Sequence, residues 1–370
     1  MGWRVPMVDL AAEWAEAAPA VEAAVLRVLR SSEYVLGPET RAFEAALARR
    51  VGTRFAVGVG SGTEALELAL RALGVGPGDE VVTSAFTHFA TVEAILRAGA
   101  RPVIADVEPG GFGIDPEGVA AALGPRTRAV VPVHLFGRCA DLIRVGAVAA
   151  AAGVAVVEDA AQAFGAVRSG RRAGAFGRLG CFSFYPSKIL GALGDAGAVT
   201  TDDAELASRL RRLRSHGAAR DGEHELAGTT SRLDSIQAAA LRARLPFLDR
   251  AIEGRARNAR AYARELGGCP GLVLPGSPAG ERVVWSQYTL RCADAPRVRA
   301  ALEAAGIEWR HYYPRPACAQ PALGGLRRRA GDFPEAERRC AEVVSLPIRA
   351  SLAPDAIREI ARVVRAALGG

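Results

Sequence analysis

From about residue 55 to residue 199 the chain alternates short runs of β-branched and small apolar residues with longer stretches of helical periodicity, and this pattern excludes most folds. The runs fall at 55–59, 81–84, 102–105, 129–133, 154–157, 181–184 and 197–200, with helical segments such as 63–73, 87–97 and 142–152 between them. Strands separated by helices are joined by crossovers, which build a largely parallel sheet covered on both faces. Ligands of such sheets sit beyond the carboxyl ends of the strands, so the loops after the runs are where chemistry belongs. A helical region follows at 233–266, interrupted by Pro246. Beyond it 283–291 reads as a strand, 295–305 as a helix and 354–368 as a terminal amphipathic helix. This is a second, smaller α/β domain, with the boundary near 245. At 370 residues, half of them apolar, the chain is long enough for both.

One residue is singular. Of 47 basic side chains only Lys188 is a lysine. Arginine replaces lysine at most solvated sites, yet its guanidinium stays protonated and cannot act as an amine nucleophile. Chemistry that needs a neutralisable primary amine explains the exception; survival of a strong arginine bias is the other explanation. The net charge of +7 suits an anionic small molecule. The arginines themselves are scattered at helical spacing, as at Arg209, Arg211, Arg212 and Arg214, which reads as a solvated helix face and not as a nucleic-acid surface. Six widely spaced cysteines form no CxxC pair and stand near no histidine at ligand spacing, so neither a metal site nor a redox motif is expected. No apolar run nears the ~20 residues of a membrane span and no secretory signal opens the chain, so a cytoplasmic protein is expected.

Three segments carry candidate chemistry. Gly58-Val-Gly-Ser-Gly-Thr-Glu-Ala-Leu66 is a glycine-rich turn between strand and helix. Its amides and the Ser61 and Thr63 hydroxyls make a phosphate cup, although a capped βα turn accounts for the segment equally well. It lacks the lysine of a nucleotide P-loop and the spacing of a dinucleotide fingerprint. In Val154-Ala-Val-Val-Glu-Asp-Ala-Ala-Gln162 a strand ends in two carboxylates and an amide. Asp159 at its tip suits a protonated pyridine nitrogen, or equally a helix cap, and Gln162 suits a phenolic oxygen. Cys181-Phe-Ser-Phe-Tyr-Pro-Ser-Lys-Ile-Leu-Gly-Ala-Leu-Gly-Asp-Ala-Gly197 runs from a strand into a loop that bears Lys188, with Ser183 placed to add a hydroxyl to the same phosphate.

In this order the motifs resemble the DegT/DnrJ/EryC1/StrS family of sugar aminotransferases, of the aspartate-aminotransferase fold type. The likeness spans almost the whole chain, through Tyr34-Val-Leu-Gly-Pro38, Gly76-Pro-Gly-Asp-Glu-Val81, Pro132-Val-His-Leu-Phe-Gly137, Ser231-Arg-Leu-Asp-Ser-Ile-Gln-Ala-Ala239, Gln287-Tyr-Thr289 and Tyr312-Tyr-Pro314. The resemblance implies an α/β, fold type I enzyme dependent on pyridoxal phosphate (PLP), with a large mostly parallel-sheet domain over 1–245 and a smaller domain over 246–370. It implies pyridoxamine phosphate as the alternate cofactor form and a homodimer with shared sites. Lys188 matches the Schiff-base lysine, Asp159 the pyridinium partner and Gln162 the phenolate contact; Gly62, Thr63 and Ser183 match phosphate positions. His88 stands where the family stacks a ring on the cofactor, more often Phe, Tyr or Trp. Thr230 stands where the family usually has an Asn that crosses the dimer interface. Arg232 is a candidate substrate contact or a structural residue near the interface, and Tyr312 and Tyr313 are candidate substrate contacts or packing aromatics, while His134 and His216 are expected to fix loops. The implied reaction moves an amino group, from L-glutamate by analogy, to a nucleotide-linked 3-oxo or 4-oxo sugar; a keto-cyclitol substrate and a catalytically inactive regulator are the alternatives.

Overall fold

The computed structural model describes residues 2–219, 222–324 and 331–369. Its central sheet has seven strands: β1 (Phe55–Val59), β2 (Glu80–Ser84), β3 (Arg101–Ala105), β4 (Thr127–Val131), β5 (Ala155–Asp159), β6 (Leu179–Ser183) and β7 (Gly197–Thr201). They lie in the order β1-β7-β6-β5-β4-β2-β3, and only β7 runs antiparallel to its neighbours. The largely parallel sheet expected from the alternation is the one found.

Strand alternation distributes the core between two faces. Leu179 and Cys181 of β6 join Val57, Leu66, Ile95 and Leu210 on one side, while Phe182 and the following Phe184 join Phe43, Leu47, Phe164 and Leu241 on the other. The covering helices include α1 (Ala18–Ser31), α2 (Pro38–Val51), α3 (Gly62–Ala72), α4 (Phe89–Arg97), α5 (Leu142–Ala151) and α6 (Ser235–Arg244). α6 ends where Pro246 enters a 3-10 turn at Leu245–Phe247, and α7 (Leu248–Leu266) restarts the helix. A three-stranded antiparallel sheet of β8 (Leu272–Val273), β9 (Tyr288–Cys292) and β10 (Val343–Leu346) packs with α7, α8 (Ala295–Ala304) and α9 (Pro354–Ala367) around Tyr262, Tyr288, Leu302, Ile360 and Val364. Val5 pairs with Ile307 and belongs to this carboxy-terminal cluster, so the amino-terminal residues reach across to it.

Three local expectations are corrected. The run 283–291 forms a strand only at Tyr288–Cys292, because Val284 donates its N–H to the Gly137 carbonyl (3.0 Å) and Trp285 takes a positive φ of 52°, which bends the chain against the loop after β4. The segment 87–97 becomes helical only at Phe89, because His88 turns its Nδ1 to accept from the Ala90 N–H (3.1 Å) and so caps α4. Arg214 is not on a solvated face: it is buried, paired with Glu44, and donates to the Gly58 carbonyl (2.6 Å) under the glycine-rich turn. Among the described residues no helix is long and apolar enough to cross a membrane.

Candidate active site

The carboxyl ends of β1, β5 and β6 open on one cavity of about 350 Å³, lined by Ser61, Gly62, Thr63, Thr87, His88, Thr91, Asp159, Gln162, Ser183 and Lys188, among others. Seven sequence candidates therefore meet at one place: Gly62, Thr63, His88, Asp159, Gln162, Ser183 and Lys188.

The phosphate-cup end depends on close backbone approach. A Cβ on Gly62 would lie 2.5 Å from the Ser183 Cβ, and one on Gly197 would lie 2.3 Å from the Ser61 carbonyl oxygen. Only glycine lets the start of α3 rest against β6 and β7 in this way. Ser61 does cap the helix, its Oγ accepting from the Glu64 N–H (3.2 Å). The N–H groups of Gly62 and Thr63 remain as first-turn donors without intrahelical acceptors.

At the other end, Glu158 and Asp159 point to opposite faces of β5, as successive strand residues must. Asp159 enters the cavity. Its Oδ1 accepts from the Ala161 N–H (3.1 Å), an Asx turn in place of a helix cap, and its Oδ2 accepts from the Thr91 hydroxyl (2.8 Å). Gln162 lies in the same turn. Its Oε1 accepts from the Phe136 N–H (2.8 Å), which fixes the amide's orientation, so that Nε2 faces the cavity and donates to the Tyr313 hydroxyl (3.1 Å). Tyr312 and Tyr313 line an adjoining chamber of about 180 Å³ with Ser286, Gln287, Gln162 and Lys188. The His88 ring meets the Tyr313 ring edge to face at 6.0 Å.

Lys188 sits on the loop between β6 and β7, in a turn closed by its own N–H donating to the Tyr185 carbonyl (2.8 Å). It is half-buried, and burial lowers its pKa from the ordinary lysine value while the Asp159 charge pulls the other way. A lysine so placed loses its proton more readily than a solvated one.

Thr230 and Arg232 are not brought to the cavity of their own chain. Thr230 is exposed and bonded to the His216 Nε2 (2.9 Å), and Arg232 is half-buried without a hydrogen bond or ion pair among the described residues. His134 fixes a loop: its Nδ1 accepts from the Ala140 N–H (3.1 Å) and its Nε2 contacts Glu158 (2.9 Å). Sequence reasoning missed Thr87 and Thr91. Their spacing of four residues imitates a helix face, but Thr87 precedes α4, and it is the turn at the His88 cap that brings the two hydroxyls together.

A profile of the DegT/DnrJ/EryC1/StrS aminotransferase family matches residues 16–365. The chain is 45% identical over 358 residues to a dTDP-3-amino-3,4,6-trideoxy-alpha-D-glucose transaminase of Streptomyces venezuelae, covering 96% of this chain and 94% of the relative. It is 43% identical over 366 residues to a UDP-N-acetyl-3-dehydro-alpha-D-glucosamine 3-aminotransferase of Acidithiobacillus ferrooxidans, covering 99% and 98%. The crystal structure of S. venezuelae DesV with a ketimine intermediate superposes with a TM-score of 0.96 at 43% identity, covering 100% of both chains. Fold and comparisons together define an aminotransferase of the α/β, PLP-dependent class. The chain belongs to the DegT/DnrJ/EryC1/StrS family.

The residues present fit the family's cofactor. The cavity offers backbone and hydroxyl donors at a helix start for a phosphate, a carboxylate for a ring nitrogen, an oriented amide for a ring hydroxyl, and an amine between them.

Proposed function

We propose that the chain aminates carbon 3 of a nucleotide-linked 3-keto sugar, taking nitrogen from L-glutamate, as a cytoplasmic homodimer. The observation that carries this reading is that the chain's only lysine lines the same cavity as Asp159 and Gln162, in a protein similar over nearly its full length to two transaminases of 3-amino nucleotide sugars. The net charge of +7 favours encounter with a sugar diphosphate.

When bound, PLP supplies an aldehyde that accepts the amino group and a ring that accepts electrons. Gly62, Thr63 and Ser183 would hold its phosphate, Asp159 would pair with the ring nitrogen, and Gln162 Nε2 would donate to the ring hydroxyl. Lys188 Nζ, its basicity reduced by burial, would take the proton from the carbon that bears nitrogen and return it to the carbon on the other side of that nitrogen. The His88 ring lines the cavity, and the Tyr313 hydroxyl accepts from Gln162 Nε2 from the adjoining chamber.

The homodimer is supported by apolar surface left uncovered around α1 and α6. Leu26, Leu29, Tyr34, Val35 and Leu193 are exposed large hydrophobics around the packed α1 and α6, with Leu193 docked to α6 through the Gln237 side chain. Thr230, outside its own cavity, is then free to meet a partner's site. Light scattering after size exclusion is expected to give twice the chain mass.

The test of activity is a spectrum of the cofactor-loaded protein with glutamate, followed by nucleotide-linked 3-keto and 4-keto sugars and keto-cyclitols. Glutamate is expected to convert the cofactor to its amine form, and a 3-keto nucleotide sugar to convert it back. Turnover confined to keto-cyclitols would overturn the proposal.

A further inference from the structure

Behind the ring-nitrogen end of the cavity lies a buried pair of hydroxyls. Thr87 and Thr91 are 3% and 1% exposed, and their Oγ1 atoms stand 3.0 Å apart. Thr91 Oγ1 is 2.8 Å from Asp159 Oδ2. With Asp159 charged its carboxylate only accepts, so the single Thr91 proton goes to Asp159 and the Thr91 oxygen then receives the Thr87 proton. The direction of the whole chain is thereby fixed. The cap at His88 sets this geometry: with α4 starting at Phe89, Thr87 precedes the helix and Thr91 sits in its first turn, and both side chains face the carboxyl end of β5.

We infer that Thr91, relayed by Thr87, is a positioning residue for the reaction: the one-way chain from Thr87 through Thr91 holds Asp159 in its charged form and so keeps the shared proton on the cofactor's ring nitrogen. The inference rests on the reading of Asp159 as the ring partner. A donor to a carboxylate stabilises its charged form, and a second donor behind the first strengthens it by polarisation. The Ala161 N–H on Oδ1 adds a further donor and locks the carboxylate plane. Both oxygens thus carry a fixed donor, and each keeps acceptor capacity toward the cavity. The other groups acting on Asp159 are Lys188 on the loop after β6, His88 at the start of α4, Cys181 on β6 and Tyr313 from the adjoining chamber. None of them is altered by substitution at 87 or 91.

The test is the nitrogen-15 spectrum of ring-labelled pyridoxamine phosphate bound to the protein, which reports where the proton lies without any turnover. Wild type and Thr91→Ser are expected to show a protonated ring. Thr91→Val is expected to move the proton toward Asp159 by roughly tenfold in the equilibrium between the two positions, the scale of one hydrogen bond to a charged group. Thr87→Val moves it the same way by less, and serves as well should Thr91→Val not fold. An unchanged ring signal in the valine variants overturns the relay and leaves the Asp159 reading standing. A wild-type spectrum with an unprotonated ring overturns the Asp159 reading itself, and the relay with it.

Discussion

Two carboxylates stand side by side at the end of β5, and their surroundings are opposite. Glu158 is fully buried and saturated: Oε2 accepts from Gly174 N–H (2.7 Å) and contacts His134, while Oε1 accepts from the N–H groups of Phe176 (2.7 Å) and Gly177 (2.6 Å). Asp159 carries two fixed donors and keeps one side toward a cavity that holds an amine and an amide. The same strand tip therefore does two jobs. Its inner face closes a loop, and its outer face keeps acceptor capacity in reserve. A buried carboxylate with every acceptor filled is structural, whereas one with capacity facing a cavity is a candidate for chemistry.

Substitutions on the two faces should separate stability from chemistry. The largest effect belongs to the cavity side: Lys188→Arg is expected to lower transamination by on the order of 10⁴-fold or more, measured as single-turnover conversion of the cofactor, because arginine has no amine to exchange protons or bond an aldehyde. Near-normal turnover by that variant sinks the assignment. Next comes the contrast within β5. Asp159→Asn is expected to cost about 10² to 10⁴-fold in kcat with little change in the melting temperature. Glu158→Ala is expected to cost roughly 3–5 kcal/mol of stability, since it strands three backbone donors and His134 in the interior. Should Glu158→Ala melt like wild type while losing turnover, the division between the two faces is wrong.

A smaller effect concerns pH. Burial lowers the pKa of Lys188, so the neutral amine is present at lower pH than for a solvated lysine. The rate at which the cofactor-free protein captures PLP should rise with pH and level off below the ordinary lysine range of ~10.4. Asp159→Asn removes the one charge that opposes the shift, and the levelling-off should move to still lower pH. Movement upward would mean that the carboxylate does not act on the amine through space.

The sequence shows the sheet well and the site unevenly, for physical reasons. Strand-helix alternation and the solitary lysine are local signals, and both lead to the observed cavity. Gly62 is legible as a turn glycine and Gly197 as the start of a strand, but the contacts that require them, with Ser183 and Ser61, join residues far apart in the chain. The Glu158–Asp159 pair looks like two equal acids until the alternation of β5 sends them to opposite faces. Thr87 and Thr91 were visible as an i, i+4 pair, yet nothing local says that a strand tip 68 residues away waits for them. The irregular stretch before Tyr288 escapes periodicity altogether, because its bend is set by a hydrogen bond to Gly137, far away in the chain.

The mildest perturbation tests how far the chemical face of β5 extends. Tyr313 lies among the rings of Phe86 (5.7 Å), His88 (6.0 Å) and Tyr312 (5.6 Å), so its packing does not depend on its hydroxyl. That hydroxyl accepts from Gln162 Nε2, while Gln162 Oε1 is held independently by the Phe136 N–H. Tyr313→Phe should therefore preserve the fold and the amide's orientation and remove one neutral hydrogen bond, worth about 1 kcal/mol. The expected loss in kcat/KM is up to roughly tenfold, with the pH profile unchanged. A loss as deep as that of Lys188→Arg would show that Tyr313 touches the reacting atoms, and the boundary of the chemical face would have to be drawn around the adjoining chamber as well.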